Sequence, residues 1–452
     1  MFGKRRLKEL SRWLLSKSPA DQTEILINCY QSRLTRFANN YIHQNVAELN
    51  TSFQIRVVLE KKIGIASANA LNKTSLKKTL DDAVEIASHQ REDPNFNSLP
   101  GPERYQRLKL YDEKTAQFSP GDQARGVRIA IDLAKSNNLN GYGSFSTGVS
   151  EVYITNSLGV DAYAVATDVY FNTVMMGEDS TGYADGASRR VTDIDVEAIA
   201  LKAVNKALLG RRPAGLKTGG YTVILEPLAT AELIDFLGWF GFGAKPVQEK
   251  RSFLVGKIGK KIVDSRVSLT EDPFHPQGLS FPFDFEGVAK KKVHLIKGGI
   301  AKNYVHDSYT GGREGKKSTG NALPAPNPYG PVPSNLVLKG GSKSPERIIS
   351  ETRRGLLVTR FHYTNIIDPV KTIITGMTRD GLFLIRGGEV VGAIKNLRFT
   401  ESIIRALNNI EEIGRDLTLV GHGPGYSGRH ATGTIAPTVK IRGFHFTGVT
   451  RF

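Results

Sequence analysis

The sequence predicts an α+β protein: a mixed N-terminal region of strands and helices, then a β-rich C-terminal domain built around one buried helix. Three observations carry this. Phe53 to Leu59 and Ile63 to Ala66 are apolar runs separated by the polar turn Glu60-Lys61-Lys62, a hairpin pattern. Apolar stripes at helical spacing recur through the first half of the chain. Beyond Gly219 the pattern turns to strands and turns, apart from Leu228 to Lys260, the most apolar stretch of a polar, basic chain.

In order, Met1 to Lys17 is basic and amphipathic, with no cleavable signal pattern, and predicts a surface helix. Residues 22 to 70 read as paired strands. Thr74-Ser75 opens a helix with Leu76, Leu80, Ala83 and Ala87 inward. Pro94 to Pro102 is a linker. Ser119-Pro120 starts the next helix, serine as cap and proline in the first turn, with Val127, Ile131 and Ala134 inward. Tyr142 to Met176 reads as three strands, with turns at Thr147-Gly148 and Ser157-Leu158-Gly159. Asp193 or Asp195 begins a helix that Gly210 ends. The expected domains are 1–93, a linker 94–118, a central unit 119–212, and 219–452.

Tyr221 to Leu225 is a buried strand. In the next stretch Leu233, Ile234, Phe236, Leu237, Trp239 and Phe240 follow with almost no polar relief, and a helix apolar all round is a buried helix. It breaks at Gly241, Gly243 and Pro246 into a basic loop. Leu323 to Asn335 carries five prolines and cannot be regular; it reads as a surface loop, or else as the rim of a cleft. Further strands fall at Leu356 to Arg360, Thr372 to Thr375, Leu382 to Arg386 and Thr438 to Ile441. Ser402 to Ile413 reads as an amphipathic helix.

Composition narrows the function. Apolar residues make up 40% and charged residues 23%, ordinary for a globular chain, and no window approaches a membrane span. Cys29 is the only cysteine, which excludes an internal disulfide framework and a multi-cysteine zinc site, and makes a cytoplasmic location the expectation. The net charge of +17 admits nucleic acid as a partner. The basic runs lack interleaved aromatics, which argues against nucleic-acid binding as the main role. Gly238 to Lys245 lacks the spacing of a phosphate loop, and Gly425-Tyr426-Ser427-Gly428 misses a nucleophile elbow by one residue. No two histidines share a helix at zinc-binding spacing.

Several segments together, in order and spacing, resemble the TldD/PmbA family of metalloproteases over about residues 20 to 445. They are Arg36 to Asn45, Phe283 to Val288, Gly298-Gly299-Ile300, Tyr304 to Asp307, Ser318 to Ala322, Arg354-Gly355-Leu356, Gly376 to Gly381, and Val391-Gly392 through Asn396 to Phe399. The resemblance implies a zincin-like site: His-Glu-x-x-x-His on a buried helix of the third domain, completed by a cysteine near the C-terminus. Two imidazoles there face one ion and the glutamate activates its water. The matching helix here is the apolar stretch. Anchoring on Gly238 and Ser252-Phe253 sets Ile234 and Trp239 at the histidine positions and Asp235 at the glutamate. Gly423 to Arg429 resembles the cysteine loop, with Ser427 at the cysteine. Isoleucine and tryptophan cannot bind zinc, and a serine hydroxyl is a poor ligand beside a thiolate.

This pattern resembles the TldE/PmbA branch, the non-catalytic subunit. The expectation is therefore a pseudo-site with no metal or cofactor of its own, zinc being supplied by a TldD-like partner, and a shared cavity that admits unfolded peptides. Lys250 and Arg251, in the basic loop, are expected to face partner or peptide. A homodimer is the alternative assembly. The alternative functions are a metallopeptidase in its own right, and a nucleic-acid or gyrase-associated modulator.

Overall fold

The computed structural model describes residues 1–423, 429 and 431–450 (for His422, the backbone only). Helix α1 (Lys4–Leu15) leads into β1 (Gln22–Ala38), β2 (Tyr41–Leu59), β3 (Lys62–Ala68) and α2 (Lys73–His89). After α3 (Glu113–Gln117) and α4 (Pro120–Ser136) come β4 (Asn140–Asn156), β5 (Asp161–Met176), β6 (Thr181–Ser188) and α5 (Val196–Leu209). These six strands form one antiparallel sheet in the order β3-β2-β1-β4-β5-β6.

One face of the sheet is covered by helices. Ile25, Ile27, Phe53 and Ile55 pack under α2 with Leu7 and Leu14 of α1, while Phe145 and Phe171 pack under α4 and α5. The helices begin where local chemistry sets them. Asn72 caps α2, Ser119 and Asp122 make a reciprocal capping box on α4, and Asp195 caps α5. The opposite face meets the C-terminal region: Leu26, Val152, Ile154 and Ala162 bury against Phe283.

The C-terminal region starts with β7 (Gly219–Leu225), α6 (Pro227–Gly241) and α7 (Ala244–Gln248). Then follow β8 (Leu269–Glu271), β9 (Val293–Lys297), β10 (Ile300–Ala301), α8 (Ser308–Arg313), β11 (Leu336–Leu338) and α9 (Pro345–Ser350). The last elements are β12 (Arg354–Asp368), β13 (Ile373–Arg386), β14 (Glu389–Ala393), β15 (Leu397–Ser402), α10 (Ile403–Asn408), β16 (Ile410–Ile413), β17 (Thr418–His422), β18 (Thr432–Ala436) and β19 (Val439–Val449). Strands β12-β7-β19-β15-β13 pair in sequence, and β13 pairs back to β12, which closes a small barrel; β14 and β16 extend it. A second sheet runs β10-β9-β8-β11-β18-β17. Helix α6 lies between barrel and second sheet, packed on β7, β12, β11, β17 and β18.

Three sequence expectations are corrected. Tyr142 to Met176 holds two long strands, not three: Thr147-Gly148 lies inside β4, paired with Val169 and Asp168. Ser402 to Ile413 is helical only over Ile403–Asn408, and Ile410–Ile413 pairs with β19. Helix α6 is not buried all round, because Trp239 is 42% exposed.

Candidate functional site

Helix α6 divides into two faces. Leu233, Ile234 and Leu237 are buried in the largest hydrophobic cluster, among barrel and second-sheet residues. The other side opens on a groove of about 520 Å³. Asp235 and Trp239, four residues apart, form one row of its wall, and Phe236 and Phe240 form the next. The two phenylalanine rings stack with centroids 6.0 Å apart. Leu323, Val332 and Pro333 close the far side, so the proline-rich segment is the rim of a cleft. Tyr329 of the same segment leans on Trp239, centroids 5.5 Å apart. The Lys245 ammonium, from α7, holds the segment by the Pro328 carbonyl at 2.8 Å.

Asp235 accepts a hydrogen bond from the Thr434 hydroxyl of β18, which ties the helix to the groove floor. One turn earlier stands Glu232, whose carboxyl is pushed up by burial, with Arg360 opposing and the Asp235 charge adding to it. Sequence reasoning missed Glu232, Phe236, Phe240 and Thr434. An acid at i and i+3 was the available signal for Glu232; nothing local distinguishes Phe236 and Phe240 from core residues.

The sequence-derived positions separate. Asp235 and Trp239 line the groove, whereas Ile234 faces the core. Ser427 lies outside the described residues. Lys250 and Arg251 are exposed at the end of α7, where Lys250 adopts φ 57° and Arg251 bonds Glu249 at 3.0 Å. Neither lines the groove.

Arg429 is inserted into the face of the six-stranded sheet. Its guanidinium donates to Asp168 Oδ1 at 2.8 Å, Ser146 Oγ at 2.8 Å and Ser32 Oγ at 3.0 Å. One arginine thus pins the C-terminal region to three strands of the N-terminal sheet.

Three family models match the chain: the PmbA/TldA metallopeptidase domain 1 over residues 24–87, the central domain over 97–211, and the C-terminal domain over 218–448. The chain belongs to the PmbA/TldD metallopeptidase family. It is 25% identical over 383 residues to the metalloprotease PmbA of Escherichia coli O157:H7, covering 80% of each chain. The structure of TldE from Thermococcus kodakarensis superposes with a TM-score of 0.87 at 24% identity, covering 98% of this chain and 100% of that one. A Thermotoga maritima protein described as a candidate modulator of a DNA gyrase superposes with a TM-score of 0.86 at 21% identity, over 98% and 100%. At these identities the likeness establishes the fold.

The family implies a zinc site, and the groove tests it. Its helix wall offers one carboxylate, already engaged by Thr434, beside three aromatic rings. Zinc sites are built from imidazole, thiolate and carboxylate donors. The described groove residues do not supply that set, and among the described residues no three His, Cys, Asp or Glu side chains converge.

Proposed function

We propose that this chain is the non-catalytic, TldE-like subunit of a two-chain metallopeptidase acting on unfolded peptides. The observation that carries the reading is the wall of the α6 groove. Phe236, Trp239 and Phe240 face the groove, Trp239 at one of the positions where the family resemblance sets a histidine, and they make a surface suited to holding side chains. Aromatic and aliphatic walls with a few placed polar groups are the usual make-up of a binding cleft. In this reading zinc and the activated water belong to a TldD-like partner, while the groove and its proline-rich rim shape the peptide path. Lys250 and Arg251 remain the proposed partner- or peptide-facing cations. A cytoplasmic location goes with this role, and the single buried Cys29 suits it.

Co-expression with a family member that carries His-Glu-x-x-x-His tests the proposal. A heteromeric complex on gel filtration, zinc in that complex only, and peptidase activity greater than either chain alone are expected. Zinc in the isolated chain, with chelator-sensitive cleavage of an unfolded peptide, would instead make this chain a metallopeptidase in its own right. A complex that failed to form would sink the subunit reading.

A further inference from the structure

The excess of positive charge is not wholly dispersed. The segment after α7 and the β9–β10 hairpin meet through paired backbone: Ile262 N–H donates to Gly299 O at 2.8 Å, and Ala301 N–H to Lys260 O at 3.0 Å. Ile300 lies opposite Lys297 on one side and Lys261 on the other. Residues paired across a sheet share a face, and strands lie about 4.8 Å apart. Lys261 and Lys297 therefore flank Ile300 at a separation of about 10 Å. Lys257 and Lys260 precede Lys261 in the same segment, Lys302 follows Ile300 by two residues, and all five lysines are exposed. Among the described residues none of their side chains makes an ion pair or hydrogen bond. The neighbouring Asp264 is occupied by Arg266, at 3.0 Å.

Two exposed aliphatic side chains lie in the same segment as Lys257, Lys260 and Lys261. Val255 is 41% exposed and Ile258 is 44% exposed. They sit on a turn whose glycines, Gly256 at φ +67° and Gly259 at φ +82°, adopt the left-handed region. A Cβ built on either glycine meets nothing within 4 Å, so the turn stands clear of the body.

We propose that this turn and hairpin form a peripheral docking surface for anionic lipid headgroups, with Val255 and Ile258 entering the interfacial layer and the lysines meeting the headgroup charge. Exposed aliphatics interleaved with lysines match an interface that is apolar below and anionic above. A nucleic-acid backbone is a poorer fit. The patch has neither the arginines that read phosphate bidentately nor aromatics for base stacking, and phosphodiester contacts would leave both aliphatics without an apolar partner. A second copy of a chain carrying +17, meeting lysine with lysine, is opposed by charge. The surface is separate from the α6 groove, so the proposal stands independently of the subunit reading.

Sedimentation of the full chain with vesicles tests it. Binding is expected to vesicles of phosphatidylcholine mixed with phosphatidylserine, not to phosphatidylcholine alone, and to weaken with added salt. K261Q/K297Q is expected to weaken partitioning roughly 25-fold, about fivefold per lysine. I258S, which leaves the charge unchanged, is expected to weaken it by about tenfold. No binding to either vesicle, equal binding to both, or binding unmoved by either variant overturns the proposal. So does tighter binding of a DNA duplex at the same ionic strength, lost in K261Q/K297Q and retained in I258S, which would assign the patch to nucleic acid.

Discussion

Gly148 shows how a distant contact decides a single residue. A Cβ there would sit 2.1 Å from Arg429 Nε, so only glycine leaves room for the guanidinium against β4. From sequence, Thr147-Gly148 looks like a turn; its physical reason lies near the other end of the chain. Arg429 and Asp168 are both buried, and removing one partner leaves the other charge stranded. Arg429→Ala is therefore expected to cost about 3 kcal/mol, the low end for a broken buried pair, because the half-buried Arg189 still feels the Asp168 charge. Arg429→Lys is expected to recover only part of that, since one ammonium cannot reach Asp168, Ser146 and Ser32 together. Urea unfolding of the two variants and of Gly148→Ala checks this; a stability equal to the parent's for all three would refute the anchor.

Elements were legible where their pattern was local. The Ser119 cap and the Val127, Ile131, Ala134 stripe are those of α4, and Asp195 caps α5. They were illegible where tertiary pairing overrides propensity, as at Ile410–Ile413, which β19 draws into a strand. Helix α6 failed in a third way. When nearly every side chain is apolar, hydrophobicity cannot say which face is core and which is groove, so the site's aromatic wall was invisible while its helix was not. The two faces make opposite predictions. Ile234→Ala opens a cavity in the core and is expected to cost about 2–5 kcal/mol. Trp239→Ala removes a half-exposed ring leaning on Tyr329, at about 1 kcal/mol, but is expected to weaken binding of an unfolded peptide to the assembled pair. Denaturation midpoints read the first and fluorescence-anisotropy titration the second. Equal stability losses would mean that the helix is not divided into these two faces.

At the scale of the molecule, the two halves are joined by a buried ionic cluster. Arg56 of β2 bonds Glu24 of β1 at 2.7 Å and reaches Glu286 of the C-terminal region at 3.4 Å. Glu286 also accepts from the Ser308 backbone N–H at 2.9 Å, and next to it burial and the Glu286 charge push Asp284 up to about 7. Burial raises Glu24 as well, despite the Arg56 guanidinium beside it. A carboxyl whose folded value is raised holds its proton longer in the folded state, so stability falls as pH rises from the unfolded value through the folded one. For Asp284 that window runs from its ordinary value of 3.8 to about 7. Arg56→Ala leaves Glu24 and Glu286 buried together without their cation, which is expected to cost about 3–5 kcal/mol at neutral pH. Without the Arg56 cation the Glu24 carboxyl is raised further, so the deficit should shrink as the solution is acidified and that carboxyl takes up a proton. Arg56→Met with Glu24→Gln and Glu286→Gln removes the charges together and is expected to regain much of the loss and flatten the pH dependence. Melting temperatures of the parent and both variants across that pH range decide it. A deficit for Arg56→Ala that stays constant with pH would mean that lost packing, and not stranded charge, is what joins the sheet to the C-terminal region.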